Sequence, residues 1–272
     1  MQNQILRYPV QHPLLKKYIK FFWALRIDQA QLNHKLIPQR NINIRFNLSS
    51  TPHYAYRGNE ANRLENVYFL GLRDRSADAF LKLNGDVDVL GICFEPDGVY
   101  PFLKMPVSEF KNQILGADEI GFYPSARISE RLKETQGIAE RLSILENELL
   151  SLLTAPDHDL EKFRLLFNGL KHENSLSLNG FCNLHNINIR QLERMYAKYV
   201  GLPASTYSTL NRFHGSLNQM LNGAYTKLSD LAYDQNYFDQ MHFIKEFKRF
   251  TGNTPREFIL HNNSILQIGK MV

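Results

Sequence analysis

The chain of 272 residues holds only two cysteines, Cys93 and Cys182, each in an apolar stretch in a different half. A structural disulfide is therefore not expected, and two buried thiols are the default reading. The sequence has no long apolar run and no signal-peptide pattern, so a soluble, cytoplasmic protein without a membrane span is expected. There is no low-complexity tract. His12, His34 and His53 are scattered, with no HxH or HxxxH pair beside a properly spaced acid, so no metal is expected. GxSxG, P-loop and GxGxxG patterns are absent in any useful context. These absences argue against an enzyme and against a bound cofactor.

Charge of one sign is not concentrated either. The formal net charge is +5 and the pI is near 9.1. Residues 156–272 carry 13 Lys and Arg against 10 Asp and Glu, so this half is only mildly basic. A role in binding nucleic acid must rest on where the charges lie.

What is present is concentrated in AYDQNYFDQMHFIKEFKRFTGNTPREF, Ala232 to Phe258. The pattern predicts a helix, a tight turn, a second helix and a capped stop, as a helix-turn-helix requires. Ala232 is small enough for two helices to cross closely. Asn236 suits a positive φ in the turn, Tyr237 anchors it, and Asp239 is an N-cap. Phe243, Phe247 and Phe250 recur at i, i+4 and i+7 on one face. Met241, Lys245 and Lys248 lie on the other. Gly252 predicts a left-handed stop, and Thr254-Pro255 is a fresh cap with proline at the first helical position.

Ala232, Asn236-Tyr237, Asp239, His242-Phe243, Lys245, Phe247-Lys248, Gly252, Thr254-Pro255 and Phe258 together resemble the signature of the AraC/XylS family of bacterial transcription regulators. The family usually has glycine at Asn236, serine at Met241 and arginine at Lys245. The first change keeps the turn; the other two alter the reading face. The resemblance covers about the last hundred residues. It implies a seven-helix DNA-binding domain with two helix-turn-helix units joined by a long helix.

A second unit lies upstream, from Phe181 to Gly201. Ser177 caps a short helix, Asn186-Ile187-Asn188 makes the turn, and Asn188 caps the next helix. Leu192, Met195, Tyr196 and Tyr199 share one face. Arg190 and Arg194 share the opposite one, with Gln191 and Lys198 beside it. The family pattern is matched at Leu192, Arg194, Tyr196, Gly201 and Tyr207, and broken at Cys182 and at Pro203-Ala204. Arginine can contact guanine O6 and N7 in bidentate fashion, so Arg190 and Arg194 are the favoured base contacts. Glu193 either accepts from cytosine or holds Arg190 or Lys198.

The candidate DNA contacts are thus Asn188, Arg190, Gln191, Arg194 and Lys198 in the first unit. In the second they are Asp239, Gln240, Met241, His242, Lys245, Lys248 and Arg249. Pro203 to about Leu221 reads as one helix, roughly 28 Å at about 1.5 Å per residue. Successive major-groove faces are about 34 Å apart, so this connector suits two recognition helices on one side of a duplex.

The first half reads differently. Asn41–Leu48 alternates at period two, and Val67–Leu72 and Val87–Phe94 are further strand candidates. His12–Ile27 is read as a helix followed by a strand. This half resembles, weakly, the β-rich and often cupin-like sensor domains that precede the DNA-binding part in many family members. Some members use a cysteine for alkyl transfer, but Cys93 has no neighbouring His or Cys to activate it. Trp23, Tyr54, Tyr56 and Phe69 are candidates to line an effector pocket, with core packing the competing reading. Ile138, Leu142, Leu145, Leu149 and Leu152 follow the a/d spacing of a short coiled coil. They serve either a homodimer, which the resemblance favours, or packing against the chain's own β domain. Thr154–Asp159 is the expected linker.

The fold expected is α+β with two domains. Residues 1–155 form a β-rich, cupin-like sensor domain ending in a helix at about 128–153; residues 156–272 form an all-α domain with two helix-turn-helix units. The function expected is sequence-specific recognition of double-stranded DNA, possible effector response included. The alternative is a β-barrel that binds or modifies a small molecule and whose helical half docks a protein.

Overall fold

The architecture is that of a computed structural model, which describes residues 5–75, 79–153, 157–172 and 177–261. The expected boundary at residues 155 and 156, and Thr154–Pro156 of the expected linker, lie outside them.

The first half is an eight-stranded antiparallel sheet among the described residues. Its strands are β1 (Leu6–Tyr8), β2 (Ile19–Lys35), β3 (Asn43–Asn47), β4 (Tyr54–Arg57), β5 (Glu60–Arg63), β6 (Val67–Leu70), β7 (Ala79–Phe94) and β8 (Ile114–Gly116). The order is β1-β2-β7-β3-β6-β8, with β4 between β5 and the start of β7. The ladder does not close on itself. The helix expected after His12 is a single 3-10 turn, Leu15–Lys17. β2 and β7, far apart in sequence, pair antiparallel over most of their length, with a bulge between Ile27 and Ala30.

Successive strand residues face opposite ways, and along the central strands both faces of this sheet are buried. Phe22, Ile44, Phe46, Phe69, Ile92 and Phe94 enter the core shared with the helices. Trp23, Leu25, Val89 and Cys93 enter a second cluster, and Tyr68, Leu70 and Leu81 a third. Gly91 makes room for Trp23: a Cβ there would lie 2.0 Å from the indole.

After the short helix α1 (Tyr100–Leu103) and a 3-10 turn at Val107–Phe110, the helix expected at 128–153 divides in two. These are α2 (Ser125–Glu134) and α3 (Ile138–Leu152), separated by Gly137 in an extended conformation. Arg127 and Arg131 of α2 both pair with Glu148 of α3. The apolar seam at a/d spacing packs against the chain's own core. Leu145 and Leu149 are buried in its core, and Ile138, Leu142 and Leu152 pack against that core. The seam thus packs within the chain, one of the two uses its spacing allowed, with Ile138, Leu142 and Leu152 left half-buried.

Seven helices follow among the described residues: α4 (His158–His172), α5 (Leu178–Leu184), α6 (Ile189–Tyr199), α7 (Ala204–Leu221), α8 (Leu228–Asp234), α9 (Gln240–Thr251) and α10 (Pro255–His261). One continuous core runs through both halves, from Ile44 to Phe163 and on to Phe250. Tyr100 of α1 meets Tyr199 of α6 edge to face with centroids 4.9 Å apart. Arg164 of α4 pairs with Asp97 and lies over the Tyr18 ring. His214, fully buried in α7, has Nε2 3.0 Å from the Pro38 carbonyl oxygen; since a carbonyl only accepts, Nε2 carries the hydrogen.

Candidate nucleic-acid interface

The two helical hairpins repeat one local design. Asn186 and Asn236 both take positive φ, 48° and 56°, a conformation asparagine tolerates better than most side chains. The Ile187 amide then donates to Cys182, and the Tyr237 amide to Ala232, at 3.0 and 2.9 Å. Asn188 caps α6 by accepting from the Arg190 amide at 2.8 Å, and Asp239 caps α9 by accepting from the His242 amide at 2.7 Å. Gly201 (φ 87°) and Gly252 (φ 79°) end the two helices in the left-handed region. The Thr254 hydroxyl and the Glu257 carboxylate cap α10 reciprocally.

The repeat also aligns the outer faces. Leu192, Tyr196 and Tyr199 are buried in α6 as Phe243, Phe247 and Phe250 are in α9. Counting from each N-cap, Arg190 corresponds to Met241 and Arg194 to Lys245, and all four are exposed. The second turn is one residue longer, and the extra residue is Phe238. Phe238 is 92% exposed, and Tyr233, near the end of α8, is 83% exposed. Neither aromatic was singled out from sequence. The signal was there: a phenylalanine between a buried tyrosine anchor and an N-cap lies outside the i, i+4, i+7 core pattern.

The remaining candidates divide. Gln240, Lys248 and Arg249 are exposed and Gln191 is half-buried; Arg249 lies over the Phe250 ring. The His242 ring is set edge-on to Tyr237 and its Nε2 is 3.8 Å from Glu246. Asn188 and Asp239 use their side chains as caps. Lys198 is turned toward the β-rich half, its Nζ 5.0 Å from the Tyr100 ring centroid and 4.8 Å from that of Tyr199. That places it against another part of the chain, which helical spacing alone cannot reveal. Glu193, read as a partner for cytosine, Arg190 or Lys198, instead accepts from the Ala204 amide at 3.2 Å and caps α7.

α7 spans 18 residues, about 27 Å at 1.5 Å per residue. At its middle, Arg212 forms a two-pronged ion pair with Glu246 of α9 (Nη2–Oε2 2.7 Å, Nε–Oε1 3.3 Å) and lies over the Tyr237 ring. The connector is thereby fixed to the second reading helix. Gly215 admits Gln235 from the second turn: a Cβ at Gly215 would lie 2.0 Å from its side-chain oxygen.

The proposed effector-pocket residues do not converge. Trp23 is buried against Gly91, donates to Asn43 Oδ1 at 3.2 Å and is stacked by Arg45. Phe69 is buried on the opposite face with Phe110 and Phe122. Tyr54 and Tyr56 are half-buried on β4. Trp23 and Phe69 are thus core residues of two separate clusters. Tyr56 borders a cavity beside the β4–β5 hairpin.

Two helix-turn-helix hairpins joined by one rigid helix define a DNA-binding domain of the helix-turn-helix class. Residues 181–260 match a family described as "Helix-turn-helix domain", and this part of the chain is a domain of the AraC type. Residues 10–116 match a family described as "Domain of unknown function (DUF6597)". No curated protein matches the sequence. Among solved structures, ToxT from Vibrio cholerae is 14% identical with a TM-score of 0.46, covering 88% of this chain and 97% of its own. ToxT from Vibrio cholerae strain SCE256 with bound unsaturated fatty acid is 13% identical with a TM-score of 0.45, covering 88% of this chain and 95% of its own. The AraC-like transcriptional activator CuxR is 10% identical with a TM-score of 0.26, covering 92% and 80%.

Proposed function

We propose that this protein is a transcription regulator that reads two adjacent major-groove segments of double-stranded DNA, one with α6 and one with α9. The observation that carries this reading is the pair of like-built hairpins, each with an exposed cationic face, tied together by α7 and the Arg212–Glu246 pair. Arg190 and Arg194 supply base contacts in the first segment. Met241, Lys245 and Lys248 grip thymine methyls and phosphates in the second, with Phe238 and Tyr233 extending that apolar edge. Lys198 is not part of this surface.

The β-rich half acts as the sensor. It is in direct contact with the reading apparatus at several places, among them Tyr100 on α6, Asp97 on α4 and the Pro38 carbonyl on α7. A change in its shape reaches the DNA-binding half without a separate relay.

Selection of duplexes from a random pool by the full-length protein, followed by titration of the winner, tests the reading. The expected result is salt-dependent binding that is tighter for the selected duplex than for a scrambled one and is weakened by Arg194→Ala. Equal, weak binding of both duplexes, unaffected by Arg194→Ala, would sink it.

A further inference from the structure

The sheet carries a second feature that DNA reading does not use. A cavity of about 280 Å³ opens between the β4–β5 hairpin, the segment after β6 and the segment before β8. Arg57, Arg73 and Arg75 line it, together with Asn112 and Gln113, above an apolar floor that includes Leu64 and Ile114. No aspartate or glutamate is among its described lining residues. Arg73 is only 5% exposed, yet no ion pair or hydrogen bond holds its guanidinium among the described residues. Burial, and then the charge of Arg57, push it below its ordinary value. Asp74, the acid between Arg73 and Arg75, is taken up by Lys111 at 2.6 Å and by the Asn112 amide at 2.9 Å.

A buried arginine facing a cavity beside two further arginines is a poor structural solution unless an anion fills the space. Guanidinium groups match carboxylate and phosphate oxygens in paired hydrogen bonds. The volume lies at the small end of ligand pockets, which suits a compact ligand and excludes a long acyl chain.

The cavity wall leads to α6. The Asn112 amide donates to Leu72, and Gly71 lies so close to Phe110 that a Cβ would overlap its carbonyl. Phe110 ends the turn that begins at Val107. The Val107 carbonyl abuts Gly201 at the end of α6, where a Cβ would lie 2.7 Å from it. One seven-residue segment, 107–113, therefore touches the cavity at one end and the first reading helix at the other.

We propose that this cavity binds a compact di- or trianion through Arg57, Arg73 and Arg75, and that occupancy acts on α6 through residues 107–113. The second clause rests on the regulator reading above; the first does not.

Calorimetric titration of the full-length protein with citrate and with inorganic phosphate, at ionic strength matched with chloride, tests the site. Saturable binding of either probe is expected, weakened at least tenfold by Arg73→Gln and also by the more exposed double change Arg57→Gln/Arg75→Gln, which guards against misfolding at Arg73. Citrate binding without phosphate binding assigns a carboxylate ligand, and the reverse a phosphate one. Saturable binding of neither probe, or binding unchanged in both variants, overturns the site. With the site intact, the affinity for the selected duplex is expected to shift at least threefold on saturation with the probe. Probe binding without that shift overturns the transmission alone, whereas failure to bind any specific duplex defeats the regulator reading and leaves the anion site standing.

Discussion

Arg212 in the middle of the connector helix holds Glu246 of the second reading helix by two hydrogen bonds, of 2.7 and 3.3 Å. Glu246 is almost fully buried, on the inner side of a helix whose outer side faces solvent. The pair sets the angle between the element that spaces the two reading helices and one of those helices. Arg212→Ala leaves that carboxylate without its charged partner. The expected loss of stability is about 1–3 kcal/mol, read by urea unfolding, with a larger loss of protection over the α9 half-site than over the α6 half-site in footprinting.

The two reading helices differ in chemistry at corresponding positions. Arg194→Ala removes a planar fork able to pair with guanine. We expect it to reduce discrimination at one base pair by about 1–3 kcal/mol, measured with duplexes substituted one position at a time. Lys245→Ala at the equivalent position of α9 should instead weaken binding across sequences and lower the salt slope by about one. A uniform loss over both half-sites would count against independent reading by the two helices.

Phe238 is 92% exposed, and among the described residues it lies outside the buried core. Phe238→Ala is therefore expected to leave stability within about 0.5 kcal/mol while weakening DNA affinity several-fold. Unchanged affinity for the selected duplex would remove Phe238 from the interface.

Three buried histidines set a lower pH limit for the fold. Burial pushes His34 and His214 down to about 3 and His53 to about 4. The charge of Arg45 presses further on His34 and His53, and that of Arg40 on His214. In the unfolded chain each takes a proton near pH 6.5. The unfolded state thus binds more protons between about 6.5 and 4. Stability contributed by the neutral rings is complete above 6.5 and is lost as pH falls through that window, by about 1.4 kcal/mol per pH unit for each histidine. Replacing His214 by Gln should flatten the slope of stability against pH between 6 and 4.5 by close to one proton.

Local chemistry was legible in the sequence wherever it was complete within a dozen residues. Asn188, Asn236, Asp239 and Gly252 take the cap and turn positions their side chains favour. The Phe243, Phe247, Phe250 stripe is buried as its spacing requires. The β-rich half was less legible because its strands are defined by partners far away. β5 is exposed along its whole length and shows no alternation, and β2 keeps pairing with β7 well past Ile27, where the apolar pattern weakens. The Ile138–Leu152 seam announced an apolar face without saying what covers it. Lys198 and Glu193 lie on or beside the cationic face of α6, but Tyr100 and the start of α7 claim them.

The central claim is that α6 and α9 read DNA together at a spacing fixed by α7. Footprinting of the selected duplex by the wild-type protein, and by a variant in which Arg190 and Arg194 are both alanine, tests it most directly. The account predicts two protected segments about one helical turn apart on one side of the duplex, and selective loss of one of them in the variant. A single protected segment, or a footprint that the double change leaves intact, would contradict it.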